Sequence, residues 1–222
     1  MNLITVEQME AATQRLLENG AKVGADSWQQ RVKNQTPHCK FGEEGICCLI
    51  CSMGPCRVTP KAPRGICGCD VHGIVARNYL RFTAGGSATH SDHGRSICHT
   101  LYGTREGGNY TVKDPEKLKR IAGEWGIETE GKDIYDLAHE VAETALMEYG
   151  KPFGIQRFLS RAPEHTQKLW HDAGIEPRAI DREVSQSLHM THMGCSSLPE
   201  ALIRQALRAG LCDGWGGSMC GT

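Results

Sequence analysis

The stretch CKFGEEGICCLICSMGPC, Cys39 to Cys56, places five cysteines in eighteen residues and sets two of them side by side. Two more, Cys67 and Cys69, follow in RGICGC. Within this group Cys48, Cys51, Cys56 and Cys67 have the spacing C-x2-C-x4-C-x10-C. Three closely spaced thiols and a more distant fourth are how a chain wraps an iron–sulfur cube: the short loop takes three corners and a later turn supplies the last. Zinc knuckles and ribbons instead pair C-x2-C with a second such pair or with two histidines. Here that second pair is missing and the x4 gap is wide, so the spacing favours iron–sulfur over zinc. Glycines such as Gly54 and Gly68 let the backbone turn and bring amides close to sulfur. Pro55 stiffens the approach to Cys56, and Arg57 is placed to stabilise a reduced, anionic cluster.

Cys39 and Cys47 are left over. Two thiols supply half of a four-cysteine site, and a twofold axis would supply the other half from a second copy. Adjacent residues of an extended chain point apart, so Cys48 would face a cluster within the chain and Cys47 one shared between chains. The alternative is a pair of buried free cysteines, which pack as small hydrophobes.

The whole chain sets the bounds. It has 222 residues, 39% apolar and 23% charged, with a net charge of −1. That is ordinary globular composition with no field of one sign, which argues against nucleic acid or an anionic membrane surface as partner. MNLITVEQMEAATQRLLENG has no basic start followed by an apolar core, and it is too acidic for a transit peptide. No apolar run approaches the length of a membrane span. The expectation is a cytoplasmic protein. In that reducing compartment eleven cysteines, an odd number, predict metal ligation rather than a disulfide framework.

CKFGEEGICCLICSMGPCRVTP, RGICG, IVARNYLRFTAGGSATHSDHGR and QALRAGLCDGWGGSM together resemble the N-terminal domain of anaerobic, nickel-containing carbon monoxide dehydrogenase. The resemblance spans most of the chain. It implies a helical domain carrying two clusters. Cys48, Cys51, Cys56 and Cys67 would hold an internal [4Fe-4S]. Cys39 and Cys47 would hold half of a [4Fe-4S] or [2Fe-2S] shared across a dimer axis. It also implies a proton relay at His90 and His93, which share a face if helical; otherwise the two are polar surface or capping residues. His99 continues their spacing loosely. The family continues for several hundred residues into domains that bind a nickel–iron–sulfur centre, and no position here matches those ligands. Nickel is therefore not expected, and the terminal Cys-Gly-Thr reads as the end of a short protein.

Elsewhere the pattern is mainly α. Thr5 and Gln8 form a capping-box pattern, with Gly20 after the helix it opens. Asp114 and Pro115 open a helix over KLKRIAGEW that Gly126 stops. Ile134, Leu137, Val141 and Ala145 recur at helical spacing before Gly150. Further helices fit PEHTQKLWHDAG, IDREVSQSLHMTHM and PEALIRQALRAG. Residues 103–113 read as an exposed loop. The chain divides into residues 1–102, with the cysteine-rich segment, and 103–222, the helical remainder of the same unit. Cys98, Cys195, Cys212 and Cys220 read as buried hydrophobes. A sharper alternative has Cys195, Cys212 and Cys220 help bind an extra metal, with His189, His192 and Cys195 at helical spacing.

Three functions follow. The favoured one is an electron-transfer subunit relaying between a redox enzyme and ferredoxin-like carriers, as a homodimer or a mixed dimer with a longer paralogue. The second is part of a split or truncated enzyme that turns CO and water into CO2, two protons and two electrons, its Ni-Fe-S centre on another chain. The third is a redox or iron–sulfur sensor.

Overall fold

A computed structural model describes residues 10–107, 109–193 and 195–222. The chain falls into two units, Met1–Glu44 and Gly45–Thr222. The junction of residues 102 and 103 lies inside the second, at the end of its longest helix.

The first unit holds helices α1 (Ala11–Lys22), α2 (Trp28–Asn34) and α3 (Lys40–Glu43). The capping pattern at Thr5 and Gln8 lies outside the described residues. Gly20 does not end α1, which continues to Lys22. A glycine can remain inside a helix at a cost of about 1 kcal/mol. The stop comes at Gly24, whose φ of 75° reverses the chain, while the Gly20 carbonyl accepts from the Ala25 amide at 2.9 Å. Ser27 caps α2 by accepting from the Gln30 amide.

The second unit opens with a minimal antiparallel ladder, β1 (Cys47–Cys48) against β2 (Cys56–Arg57). Then follow α4 (Val71–Tyr102), a 3-10 turn (Gly103–Glu106), α5 (Pro115–Glu124) and α6 (Ile134–Gly150). A second 3-10 turn (Arg157–Arg161), α7 (Glu164–Ala173), α8 (Ile180–Thr191), α9 (Pro199–Cys212) and a π-turn (Asp213–Ser218) complete it. The mainly helical fold read from the sequence is the fold observed. Among the described residues no helix is long and apolar enough to cross a membrane.

Helix α4 is the axis of this unit. Asp70 caps it, its Oδ1 accepting from the Gly73 amide at 2.9 Å. Helices α6, α8 and α9 and the π-turn all pack on it. Ala76 and Leu80 meet Leu202 and Ala206 of α9 in one apolar cluster. Further along, Gly94 and Gly217 let the π-turn approach the α4 backbone. A Cβ at Gly217 would stand 2.8 Å from Ser91 Cα. Tyr149 of α6 donates to the Ser91 carbonyl beside this contact.

Asp114 caps α5 with Pro115 in its first turn, and Gly126 at φ 72° follows its end. Leu118 and Ala122 pack against Leu137, Ala138 and Val141 of α6. Gly174 at φ 64° closes α7. Helix α8 stops at Thr191, short of the sequence expectation, because His192 is extended with ψ of 164°. Residues 103–113 begin with a 3-10 turn that buries Thr104, and the described residues after it are mostly exposed.

Candidate metal-cluster site

The β1–β2 ladder gives the cysteine doublet its meaning. Its register sets Cys48 opposite Cys56 and Cys47 opposite Arg57. Directly opposed residues of an antiparallel pair share a face, and successive residues alternate faces. Cys48 and Cys56 therefore project to one side, Cys47 and Arg57 to the other. A connecting loop of seven residues between the strands carries Cys51 and ends in Gly54 and Pro55, joined by a cis peptide. Gly54 is crowded: a Cβ there would lie 3.1 Å from the Cys48 carbonyl and 3.2 Å from the Cys56 amide.

The fourth thiol arrives on a tight turn. The Gly65 amide donates to the Cys69 carbonyl and the Gly68 amide to the Gly65 carbonyl, both at 2.8 Å, with Gly68 at φ 87°. This turn holds Cys67 over the ladder. Cys48, Cys51, Cys56 and Cys67 line a single pocket, walled by Ile50, Ile66, Ile74 and Met193. Cys69 is not part of its lining. It is 1% exposed and packs with Cys48 and Ile74, so tightly against α4 that Gly73 has no room for a Cβ beside its Sγ.

Hydrogen-bond donors reach two of the sulfurs. The Ile66 amide lies 3.5 Å from Cys56 Sγ, and Arg77 Nη1 lies 3.4 Å from Cys67 Sγ. Burial works against the Cys67 thiolate, but the Cys69 amide and the Arg77 guanidinium outweigh it and bring its pKa below the ordinary thiol value. Burial dominates at Cys69 and raises its pKa. Helix α4 fixes the scaffold: Asn78 Nδ2 donates to the carbonyls of Gly45 and Cys47, each at 3.0 Å.

Four thiols around one apolar-walled space, with donors aimed at sulfur, suit an iron–sulfur cube, which takes one thiolate per corner. Among the described residues no three His, Cys, Asp or Glu side chains converge on a point as around a single ion. A cube instead holds its thiolates apart.

The other candidates lie elsewhere. Cys39 is exposed at the start of α3 in the first unit, while Cys47 belongs to the second. His90 and His93 are exposed on α4. His90 Nδ1 lies 2.6 Å from Asp213 Oδ1 of the π-turn, a partner sequence reading missed. His189 is on α8, but His192 and Cys195 follow its end, so the three do not continue one helical face. Cys195 is exposed. Cys212 is fully buried beside Tyr149 and Ile180, with Cys220 packed against that cluster. Cys98 Sγ donates to the Cys220 carbonyl at 3.6 Å; interaction between the two thiols, with burial, raises the Cys220 pKa, while at Cys98 that interaction outweighs burial and lowers it.

Residues 46–222 match the Prismane/CO dehydrogenase family. The chain belongs to that family. It is 43% identical over 221 residues to carbon monoxide dehydrogenase 1 of Methanosarcina mazei, covering 97% of this chain and 35% of that protein. It is 37% identical over 215 residues to carbon monoxide dehydrogenase 1 of Carboxydothermus hydrogenoformans, covering 92% and 34%. Among solved structures, the nickel-free, as-isolated carbon monoxide dehydrogenase of Thermococcus sp. AM4 superposes with a TM-score of 0.88 at 42% identity, over 96% of this chain and 35% of that one. This CO dehydrogenase-family chain thus spans about a third of the length of the relatives it matches.

Proposed function

We propose that this chain is an electron-relay domain of CO dehydrogenase type, built around a [4Fe-4S] cube on Cys48, Cys51, Cys56 and Cys67. The observation that carries the reading is the single pocket lined by those four thiols. Such a cube, when bound, takes up and returns one electron at a time. The chain's own residues do the rest. Asn78 and the β1–β2 ladder hold Cys48 and Cys56 in register, Ile50 and Ile74 limit water, and the Ile66 amide steadies anionic sulfur. Leu49, Met53 and Ile66 are exposed beside the thiols, an apolar rim suited to a ferredoxin-like partner. Cys39 and Cys47 supply half of a second cluster, [4Fe-4S] or [2Fe-2S], completed by another copy or by a longer paralogue. His90, oriented by Asp213, and His93 belong to a proton path.

A second reading is favoured by the share of the relatives that the chain spans. In it the chain is one part of a CO-oxidising enzyme whose nickel centre lies on other residues. One experiment separates the two. Protein purified without oxygen is assayed for iron and nickel per chain and for CO-dependent viologen reduction. Iron without nickel or CO activity supports the relay. Nickel with activity supports the second reading. Protein without iron overturns both.

A further inference from the structure

Arg77 is 2% exposed. A guanidinium stays protonated at any ordinary pH, and a buried charge is costly unless an opposite charge accompanies it. Its hydrogen-bond partners among the described residues are a carbonyl and a thiol. Nε and Nη2 both donate to the Ser196 carbonyl, the Nε bond at 2.7 Å, and Nη1 donates to Cys67 Sγ at 3.4 Å. A carbonyl accepts a hydrogen bond but supplies no counter-charge. The anion this cation is built to meet is therefore on the sulfur side, in the pocket that Arg77 itself helps to line.

We propose that Arg77 is the fixed counter-ion of the cluster and sets its reduction potential. The inference rests on the reading that the four thiols hold an iron–sulfur cube. Four thiolates around such a cube give it a net negative charge that grows by one on reduction. A buried cation bonded to one ligand sulfur favours the more negative, reduced state. The two bonds to Ser196 fix the fork, so the Nη1 donor does not have to be recruited when charge develops. Arg77 is a positioning residue in this scheme: it acts through Cys67. Arg57, on the opposite ladder face, is not in that geometry.

The test is a redox titration of the anaerobically purified full chain, followed by electron paramagnetic resonance, for wild type, Arg77→Met and Arg77→Lys. The expected result is a midpoint potential shifted to more negative values in Arg77→Met, with Arg77→Lys recovering part of the shift. A buried structural cation unrelated to the cluster would leave the potential unchanged. An unchanged midpoint in Arg77→Met overturns the proposal; if that variant does not fold, an unchanged midpoint in the likewise uncharged Arg77→Gln does so. Failure of the underlying reading is distinct. It appears as a wild type without iron, or as iron per chain that does not fall in Cys48→Ser.

Discussion

Gly94 of α4 sits directly under the carbonyl of Gly217, so close that a methyl at either residue would occupy backbone of the other element. Neither partner can retreat far, because α4 is packed by three other helices and Tyr149 is hydrogen bonded to Ser91 one turn away. Gly94→Ala should therefore destabilise the fold by about 2–3 kcal/mol through overpacking. Gly85 and Gly86, on the same helix, have open space where a Cβ would go. Alanine at either should stabilise by about 0.5–1 kcal/mol through helix propensity. Denaturant unfolding of the three variants checks the opposite signs.

The ligand assignment predicts a contrast between near neighbours. Serine at Cys48, Cys51, Cys56 or Cys67 should lower iron per chain. Cys69→Ala should retain the iron and instead destabilise by about 1 kcal/mol, since Cys69 packs in an apolar cluster and is absent from the pocket lining. Iron analysis of the five variants decides it; loss of iron in Cys69→Ala with retention in Cys67→Ser would reverse the assignment.

Cys39 and Cys47 are expected to act between chains. The double variant Cys39→Ser, Cys47→Ser should weaken self-association and keep the internal cube. Sedimentation of the anaerobic protein beside its iron content gives the answer, and a variant that remains associated with unchanged iron removes the shared cluster.

Glu183 is fully buried and carries a pH dependence. Burial opposes its charge, but hydrogen bonds from Arg178 and Gln205 prevail and depress its pKa. A carboxylate with a depressed folded pKa contributes stability above its unfolded value, about 4.3, and loses it as the pH falls through the folded value. Glu183→Gln should cost about 3 kcal/mol at pH 7, because Arg178 loses its counter-charge and keeps only the Gln186 amide oxygen. The gap to wild type should narrow on acidification. Urea titrations at pH 7 and below pH 4 measure it.

The late cysteines should separate by reactivity. Burial, foremost, pushes the Cys212 thiol up to about 12, and its side chain is inaccessible. Cys195 is exposed. A brief native alkylation should label Cys195 and spare Cys212, as read by peptide mass spectrometry; labelling of both would show that the π-turn opens readily.

Much of this was legible before the structure, and the reasons are local. Asp114, Pro115 and Gly126 fix α5 by cap and stop chemistry that does not depend on distant residues. The alternation of an extended chain is equally local, and it separates Cys47 from Cys48. The full extent of α4 was not legible. Its buried residues share one face, from Arg77, Leu80, Ala84 and Ser87 to Ser91, Gly94 and Cys98, but most are small or polar, so no apolar stripe marks it in the sequence. Arg77 was missed for a related reason. Its partners are a thiol 10 residues before it and a carbonyl 119 residues after it, a relation no spacing rule contains. The end of α8 at Thr191 was overrun because the HMTHM segment carries no glycine or proline to announce a stop.

The 119-residue reach from Arg77 to Ser196 also has a clock attached. At about 5–20 residues per second, a ribosome delivers Ser196 roughly 6–24 s after Arg77. Throughout that interval the four thiols of the loop are already outside or emerging, while the guanidinium that will face them has no carbonyl to lock onto. The loop is thus at its most open during synthesis. Emergence of the α8–α9 connection then fastens Arg77 against Cys67, which makes the arrival of Ser196 the natural moment at which the loop closes.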